Sequence, residues 1–222
     1  MELNLTEGLA LTWSWCIPGG IRGAASPDFV LLENVVPYCF YSRRTVRPLI
    51  ILIKYKGRPD LAYKFGCSLG RAWLEAGTVP DVEVVVPVPL HWYKRLKRGY
   101  NQSEHFARGI ADTLGIVVGQ PLRRRRYTRT QTRQPDHAAR WQNVQGKFAL
   151  RRGAAEKFQG KHILLVDDVI TTGATLSACL DALMDIRGLR ISVASIAATR
   201  SLCHSGGVVL ADDMDEDFDT FS

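Results

Sequence analysis

Residues 161–176 read Lys-His-Ile-Leu-Leu-Val-Asp-Asp-Val-Ile-Thr-Thr-Gly-Ala-Thr-Leu, and no other stretch restricts the fold so tightly. Ile163-Leu164-Leu165-Val166 is a continuous apolar run, the pattern of a strand buried on both faces as in a parallel sheet. Two carboxylates, Asp167 and Asp168, follow directly. Then comes Thr171-Thr172-Gly173-Ala174-Thr175, a small, hydroxyl-rich loop ahead of a helical pattern. A loop of this kind at a helix N-terminus presents backbone N–H groups, hydroxyls and the positive end of the helix dipole to a tetrahedral anion. It reads as a phosphate cradle. Carboxylates repel phosphate, so a ligand satisfying both halves carries polyol hydroxyls or a metal beside its phosphate. Ribose 5-phosphate has that chemistry.

Two other readings share part of the pattern. A buried strand ending in Asp-Asp also opens receiver domains, where the pair binds magnesium. Only 54 residues follow Asp168, many of them in an acidic tail, too few to complete a receiver. An ordinary strand–turn–helix with incidental acids stays open, because Thr-Thr-Gly is also good turn chemistry.

The 222 residues hold one α/β domain with an elaboration, or two small domains, and a hydrophobic content of 46% suffices for a core. The formal charge of +7 conceals an asymmetry: residues 211–222 carry six acids and no base, which leaves +13 on the remainder. Residues 121–152 hold ten arginines and lysines against one acid, Asp136, a patch suited to nucleotides or nucleic acid. Cysteines 16, 39, 67, 179 and 203 are odd in number and include no Cys-x-x-Cys, which fits a reducing compartment. Glu2 and Glu7 stand where a secretory leader would carry bases, and no apolar run approaches the ~20 residues that span a bilayer. A cytoplasmic protein with no membrane partner is expected.

Taken in order, residues 1–48 are the least readable, with Trp13, Trp15 and residues 29–32 as candidates for a small layer. Residues 49–53 read as a buried helix or strand, and Lys54, Lys56 and Arg58 as a solvated basic turn. A helical pattern then carries Leu61, Ala62, Phe65, Leu69, Ala72 and Trp73. Residues 82–88 form a second apolar strand pattern. Beyond its prolines, Lys94-Arg95-Leu96-Lys97-Arg98-Gly99 reads as a basic, glycine-bearing loop, a second anion site suited to pyrophosphate through Arg95, Lys97 and Arg98. Asn101 with Glu104 suggests an N-cap pairing for a helix whose apolar face is Phe106, Ala107, Ile110, Ala111 and Leu114. A short strand is expected within 114–118, and a long segment without periodicity from Arg123 to Asn143 reads as a mobile loop. Residues 146–150 are expected to resume the sheet. The helix after the central stretch shows Leu176, Cys179, Leu180, Leu183 and Met184 on one face, with Gly188 as its C-cap, and residues 191–198 form the last strand. The alternation from 82 to 198 argues a mainly parallel sheet with helices on both faces. The expected division is an N-terminal hood-like region at 1–80, a core at 81–202 and an acidic tail at 203–222.

Val166-Asp167-Asp168-Val169-Ile170-Thr171-Thr172-Gly173-Ala174-Thr175 resembles, over its whole length, the phosphoribosyl-pyrophosphate (PRPP) signature of type I phosphoribosyltransferases. Further stretches resemble the ComF family across roughly residues 38–200. They are Ile53-Lys54-Tyr55-Lys56-Gly57, Val86-Pro87-Val88-Pro89, Lys97-Arg98-Gly99-Tyr100-Asn101-Gln102, and then Gln131-Thr132, Arg140, Asn143, Gly146 and Phe148. The resemblance implies a type I phosphoribosyltransferase-like α/β fold, a long loop that closes over the site through Gln131 and Arg133, and a link to bacterial DNA uptake and competence. It departs from the family at the four-cysteine zinc ribbon with which ComF proteins commonly begin. This chain has only Cys16 and Cys39 there, so no structural zinc is expected.

The expected function is PRPP binding with Mg2+, followed by phosphoribosyl transfer to an acceptor the sequence does not encode, with pyrophosphate release. Asp167 and Asp168 are the catalytic candidates, holding ribose hydroxyls directly or through magnesium and its waters. Thr171, Thr172, Gly173, Ala174 and Thr175 would hold the 5-phosphate, and Arg95, Lys97 and Arg98 the pyrophosphate. The competing class is a non-catalytic accessory of DNA uptake that binds single-stranded DNA or other uptake proteins. A homodimer is compatible with either.

Overall fold

In a computed structural model, the structure describes residues 31–40, 44–125 and 146–199. Five strands form one parallel sheet: β1 (Leu31–Phe40), β2 (Val84–Pro87), β3 (Val117–Val118), β6 (His162–Ile170) and β7 (Arg190–Ala198). Their order is β1-β7-β6-β2-β3, which puts β6 at the centre, flanked by β7 and β2. The all-parallel arrangement agrees with the mainly parallel sheet expected from the alternation of strand and helix patterns. Parallel pairing needs crossovers, and these supply the helices that cover both faces.

Side-chain alternation on β6 sorts the core into two layers. Ile163 and Leu165 point toward one face, where they meet α6 (Ala174–Leu183) and the short α5 (Ala154–Phe158) through Leu176, Cys179, Leu180, Leu183 and Phe158. Leu164 and Val166 point to the other. There they meet α1 (Val46–Tyr55), α2 (Pro59–Ala76) and α4 (Gln102–Leu114) through Ile50, Ile53, Leu69, Trp73, Phe106 and Ile110. Helices α2 and α4 touch backbone to backbone. A Cβ on Gly66 would stand 2.2 Å from the Phe106 carbonyl oxygen, and one on Gly109 would stand 2.1 Å from that of Tyr63. Glycine at both positions is what permits this approach.

Several local expectations are corrected. The basic segment before Gly99 is not a loop: residues Trp92–Arg98 form a helix, α3, capped by the His91 side chain accepting from the Tyr93 N–H and ended by Gly99 at φ 83°. Residues 49–53, by contrast, take the helical one of the two readings left open for them and belong to α1. Arg123 and Arg124 do not open an aperiodic loop, because Leu122–Arg124 is a strand, β4. Its partner is β5 (Phe148–Leu150), which does not resume the main sheet but pairs antiparallel with β4 in a separate two-stranded sheet. Glycine at 188 does not cap α6, which ends at Leu183 with Met184 as its C-cap, so Met184 is exposed instead of joining the apolar face.

The described residues before 81, part of the region read from sequence as a hood, supply the edge strand β1 and helices α1 and α2, packed on the same sheet as the rest. Trp13, Trp15, the loop residues Gln131, Arg133, Arg140 and Asn143, and the acidic tail lie outside the described residues. No helix among the described residues is long and apolar enough to cross a membrane.

Candidate active site at the ends of strands β2 and β6

Alternation along β6 carries on past the apolar run, so Asp167 follows Leu165 toward the α6 face and Asp168 follows Val166 toward the α1 face. The adjacent acids therefore have different surroundings. Asp167 helps line a small concavity with Thr171, Thr172, Gly173, Ala174 and Thr175, the loop that opens α6. Gly173 takes φ 74° to start that helix, and Thr172 Oγ1 accepts from the Ala174 N–H at 3.4 Å. One carboxylate and the whole hydroxyl-rich loop thus share a single cup.

The Asp167 carboxylate accepts from Ser103 Oγ at 3.1 Å and from the Asp168 N–H at 2.9 Å. Burial first, and then the neighbouring charge of Asp168, pushes its pKa up to about 7 against these hydrogen bonds and the pull of Lys54. Ser103 reaches it because α4 starts directly above the strand ends. Asn101 caps that helix by accepting from the Ser103 N–H, while its own side-chain amide donates to the Val88 carbonyl just past β2. The expected pairing of Asn101 with Glu104 is replaced: Glu104 takes Arg95 in a two-pronged ion pair of 2.9 and 3.4 Å.

Asp168 is buried, and Lys54 Nζ stands 3.0 Å from its Oδ2. Burial acts to lower the Lys54 pKa, but Asp168 outweighs it and holds the lysine above its ordinary value. Lys54 is therefore no solvated turn residue, as its basic neighbourhood suggested; the last turn of α1 aims it at the strand end. Lys56 and Arg58 do stay exposed, the latter paired with Asp60.

The three bases expected around pyrophosphate separate in space. Arg98 sits over the Tyr55 ring at 5.5 Å, donates to Gln102 Oε1 and lies near enough to Lys54 for the two charges to repel. Tyr100, next to it, donates its hydroxyl to the Ile53 carbonyl and so ties the α3–α4 turn to α1. Arg95 turns to Glu104, and Lys97 is exposed on α3. Lys54 and Ser103 escaped the site list drawn from sequence. The only signal for Lys54 was its place in Ile-Lys-Tyr-Lys-Gly, and for Ser103 its place just after an N-cap asparagine.

Among the described residues no three His, Cys, Asp or Glu side chains converge as a metal cage. The donor set instead suits a hard cation that shares its shell with a ligand: one partly buried carboxylate beside a phosphate-type cradle. Magnesium is bound in this manner, through one or two carboxylates plus substrate phosphates.

A parallel sheet whose central strand ends in two acids and a threonine–glycine loop defines a phosphoribosyltransferase-type domain, and residues 101–204 match the phosphoribosyl transferase domain family. The chain is 36% identical over 96 residues to Competence protein F of Haemophilus influenzae, covering 43% of this chain and 41% of that protein. It is 33% identical over 144 residues to DNA utilization protein YhgH of Salmonella typhi, covering 62% of this chain and 61% of that protein. An adenine phosphoribosyltransferase crystal structure overlays on 66% of this chain and 74% of its own with a TM-score of 0.43 and 15% identity. The chain thus carries a phosphoribosyltransferase-type domain over residues 101–204 and is similar to ComF-type proteins. It spans less than two thirds of the length of these two curated relatives.

Proposed function

We propose that the chain binds PRPP with Mg2+ and transfers its phosphoribosyl group to an acceptor, releasing pyrophosphate. The observation that carries this reading is the cup in which Asp167 and the 171–175 loop stand together. A phosphate held by the N–H groups and hydroxyls of Thr171, Thr172, Gly173 and Thr175 leaves the ribose ring pointing back along β6 toward the acids. Asp167 then accepts from ribose hydroxyls, and Asp168, anchored by Lys54, keeps the strand end and its partner in place. Magnesium, where bound, would be held by Asp167 and would supply positive charge to the diphosphate.

In the transfer, the bond from the anomeric carbon to the pyrophosphate oxygen breaks and its electron pair leaves with pyrophosphate. The acceptor's lone pair forms the new bond, and its proton passes to water. Arg98 is the base best placed to neutralise the leaving group, with Lys97 on the same helix. Arg95 joins only by giving up Glu104. The names Competence protein F and DNA utilization protein YhgH support a setting in which this chemistry serves the uptake or use of DNA.

The test is calorimetric titration of PRPP with Mg2+ into the wild type and Asp167→Asn. Micromolar binding that the variant loses, with pyrophosphate released once an acceptor is added, is the expected result. No heat of binding to a folded wild type would overturn the reading.

A further inference from the structure

Helix α3 buries none of its residues. A helix this short does not hold itself together in water, yet this one is fixed by the His91 cap and the Gly99 stop. It displays Trp92, Tyr93 and Leu96 at 57%, 57% and 75% exposure. At about 100° per residue the three fall on one face, with Lys97 next to Tyr93 on one side and the groove of Arg123 and Arg125 beyond Trp92 on the other. The helix contains no acid, and its Arg95 already has Glu104. An apolar stripe between bases suits a segment that is apolar along one side and acidic elsewhere.

The chain carries such a segment. Within residues 212–221, Met214, Phe218 and Phe221 stand at i, i+4 and i+7, the spacing of anchors that enter a groove from one helix face, and six acids without a base surround them. Its attachment point favours α3. The Thr199 N–H donates to the Ile170 carbonyl and its hydroxyl to the Thr171 carbonyl, so the chain leaves β7 at the end of the sheet from which α3 also rises. Only β6 separates β7 from β2, about 10 Å, and α3 begins at Trp92, shortly after β2 ends at Pro87. Residues 200–211 span up to about 40 Å when extended, enough to bring the acids to α3. A tether of this length sets an effective concentration on the order of millimolar, at which even a weak contact is populated.

We infer that the exposed face of α3 is the docking surface of residues 212–221 of this same chain. Met214, Phe218 and Phe221 cover the stripe of Trp92, Tyr93 and Leu96, and the acids turn to Lys97 and the groove arginines. The docked segment covers Lys97, so a polyanion that uses this base must displace it. The docking itself does not rest on PRPP binding.

The test applies a zero-length carbodiimide reagent, which joins a lysine amine to a carboxylate in contact with it, to the full chain at low micromolar concentration and low salt. Linked peptides are mapped by mass spectrometry. Lys161 and Glu83, 3.0 Å apart, supply an internal control for folding and for reaction. The expected product joins Lys97 to an acid within 212–219. Its yield should fall about fivefold or more in Leu96→Ser, in Phe218→Ser/Phe221→Ser and in about 1 M salt, with the control link retained in both variants. Leu96 touches no core, so its variant tests the contact without unfolding the protein. An equal mixture of 15N-labelled and unlabelled chains should give links within one isotope only. Three results would overturn the inference. They are a control link without any Lys97 link, a Lys97 link that both variants leave unchanged, and mixed-isotope links, which would assign the face to a second copy of the chain.

Discussion

Lys54 and Asp168 meet at 3.0 Å across the junction of the last turn of α1 with the end of β6. Both side chains are largely withdrawn from water, at 15% and 6% exposure, so their ionisation depends on each other. The pair fastens a helix contributed by the N-terminal part of the chain to the strand that carries the proposed ribose contacts. Site and core are therefore mechanically one at this point.

Lys54→Met would leave the Asp168 carboxylate buried without its counter-charge. The expected loss is about 3 kcal/mol, read as a lower urea midpoint at constant slope. Adding Asp168→Asn to Lys54→Met should restore part of that loss, because the uncompensated charge disappears. Equal stability of Lys54→Met and wild type would show that the contact contributes nothing.

Stability should fall as pH rises from about 4 to about 7 through the Asp167 carboxyl. Its folded pKa lies above the unfolded value, so between the two the folded state binds more protons and is favoured at the acidic end. The slope from this one group is at most about 1.4 kcal/mol per pH unit. Urea midpoints measured at about pH 5 and about pH 8 should differ less in Asp167→Asn than in the wild type. An unchanged difference would assign the pH dependence to other groups.

Ser103→Ala removes the hydroxyl that donates to Asp167 Oδ1. A hydrogen bond to the charged form lowers an acid's pKa, so its loss should raise the Asp167 value further, by an amount worth about 1 kcal/mol or less. Carbon-detected NMR titration of the carboxyl reads this directly. A downward shift would contradict the geometry.

Gly66→Ala and Gly109→Ala should each destabilise the fold by about 2 kcal/mol, since the added methyl meets backbone carbonyl oxygens on the facing helix that cannot swing aside. Thermal unfolding measures it. Alanine at Gly57, where φ is also positive but nothing lies within 4 Å, should cost only the left-handed strain of about 1 kcal/mol.

Gly173→Ala combines strain with function. At φ 74° the alanine is strained by about 1 kcal/mol, and relief of that strain would rotate the first N–H groups of α6 away from the cup. Ribose 5-phosphate should bind several-fold more weakly to a protein that still folds. Unchanged affinity would move the phosphate away from this loop.

Much of the fold was legible along the chain. An unbroken apolar run bounded by acids and a glycine loop already implies a buried parallel strand feeding a helix, because a strand covered on both faces reads as a near-continuous apolar run. The same pattern located the cup, since Asp167 and the 171–175 loop are neighbours in sequence and strand-to-helix geometry leaves them neighbours in space. Two of the misread segments, α3 and β4, are both dense in arginine and lysine. Charge obscured their periodicity: α3 buries nothing and β4 exposes two of its three side chains to some degree, so neither shows the apolar spacing that betrays an element.

The sequence by itself determined the chemistry of the central strand and loop, because side-chain alternation and turn preference act over a few residues. Only the tertiary structure decided that Lys54 answers Asp168, that Ser103 answers Asp167, and that Trp92 faces the arginines of β4. Those meetings depend on strand order, on which helix crosses which face, and on two glycines that let α2 and α4 close together. Each is a balance of burial summed over the whole core, and no local stretch of the chain contains it.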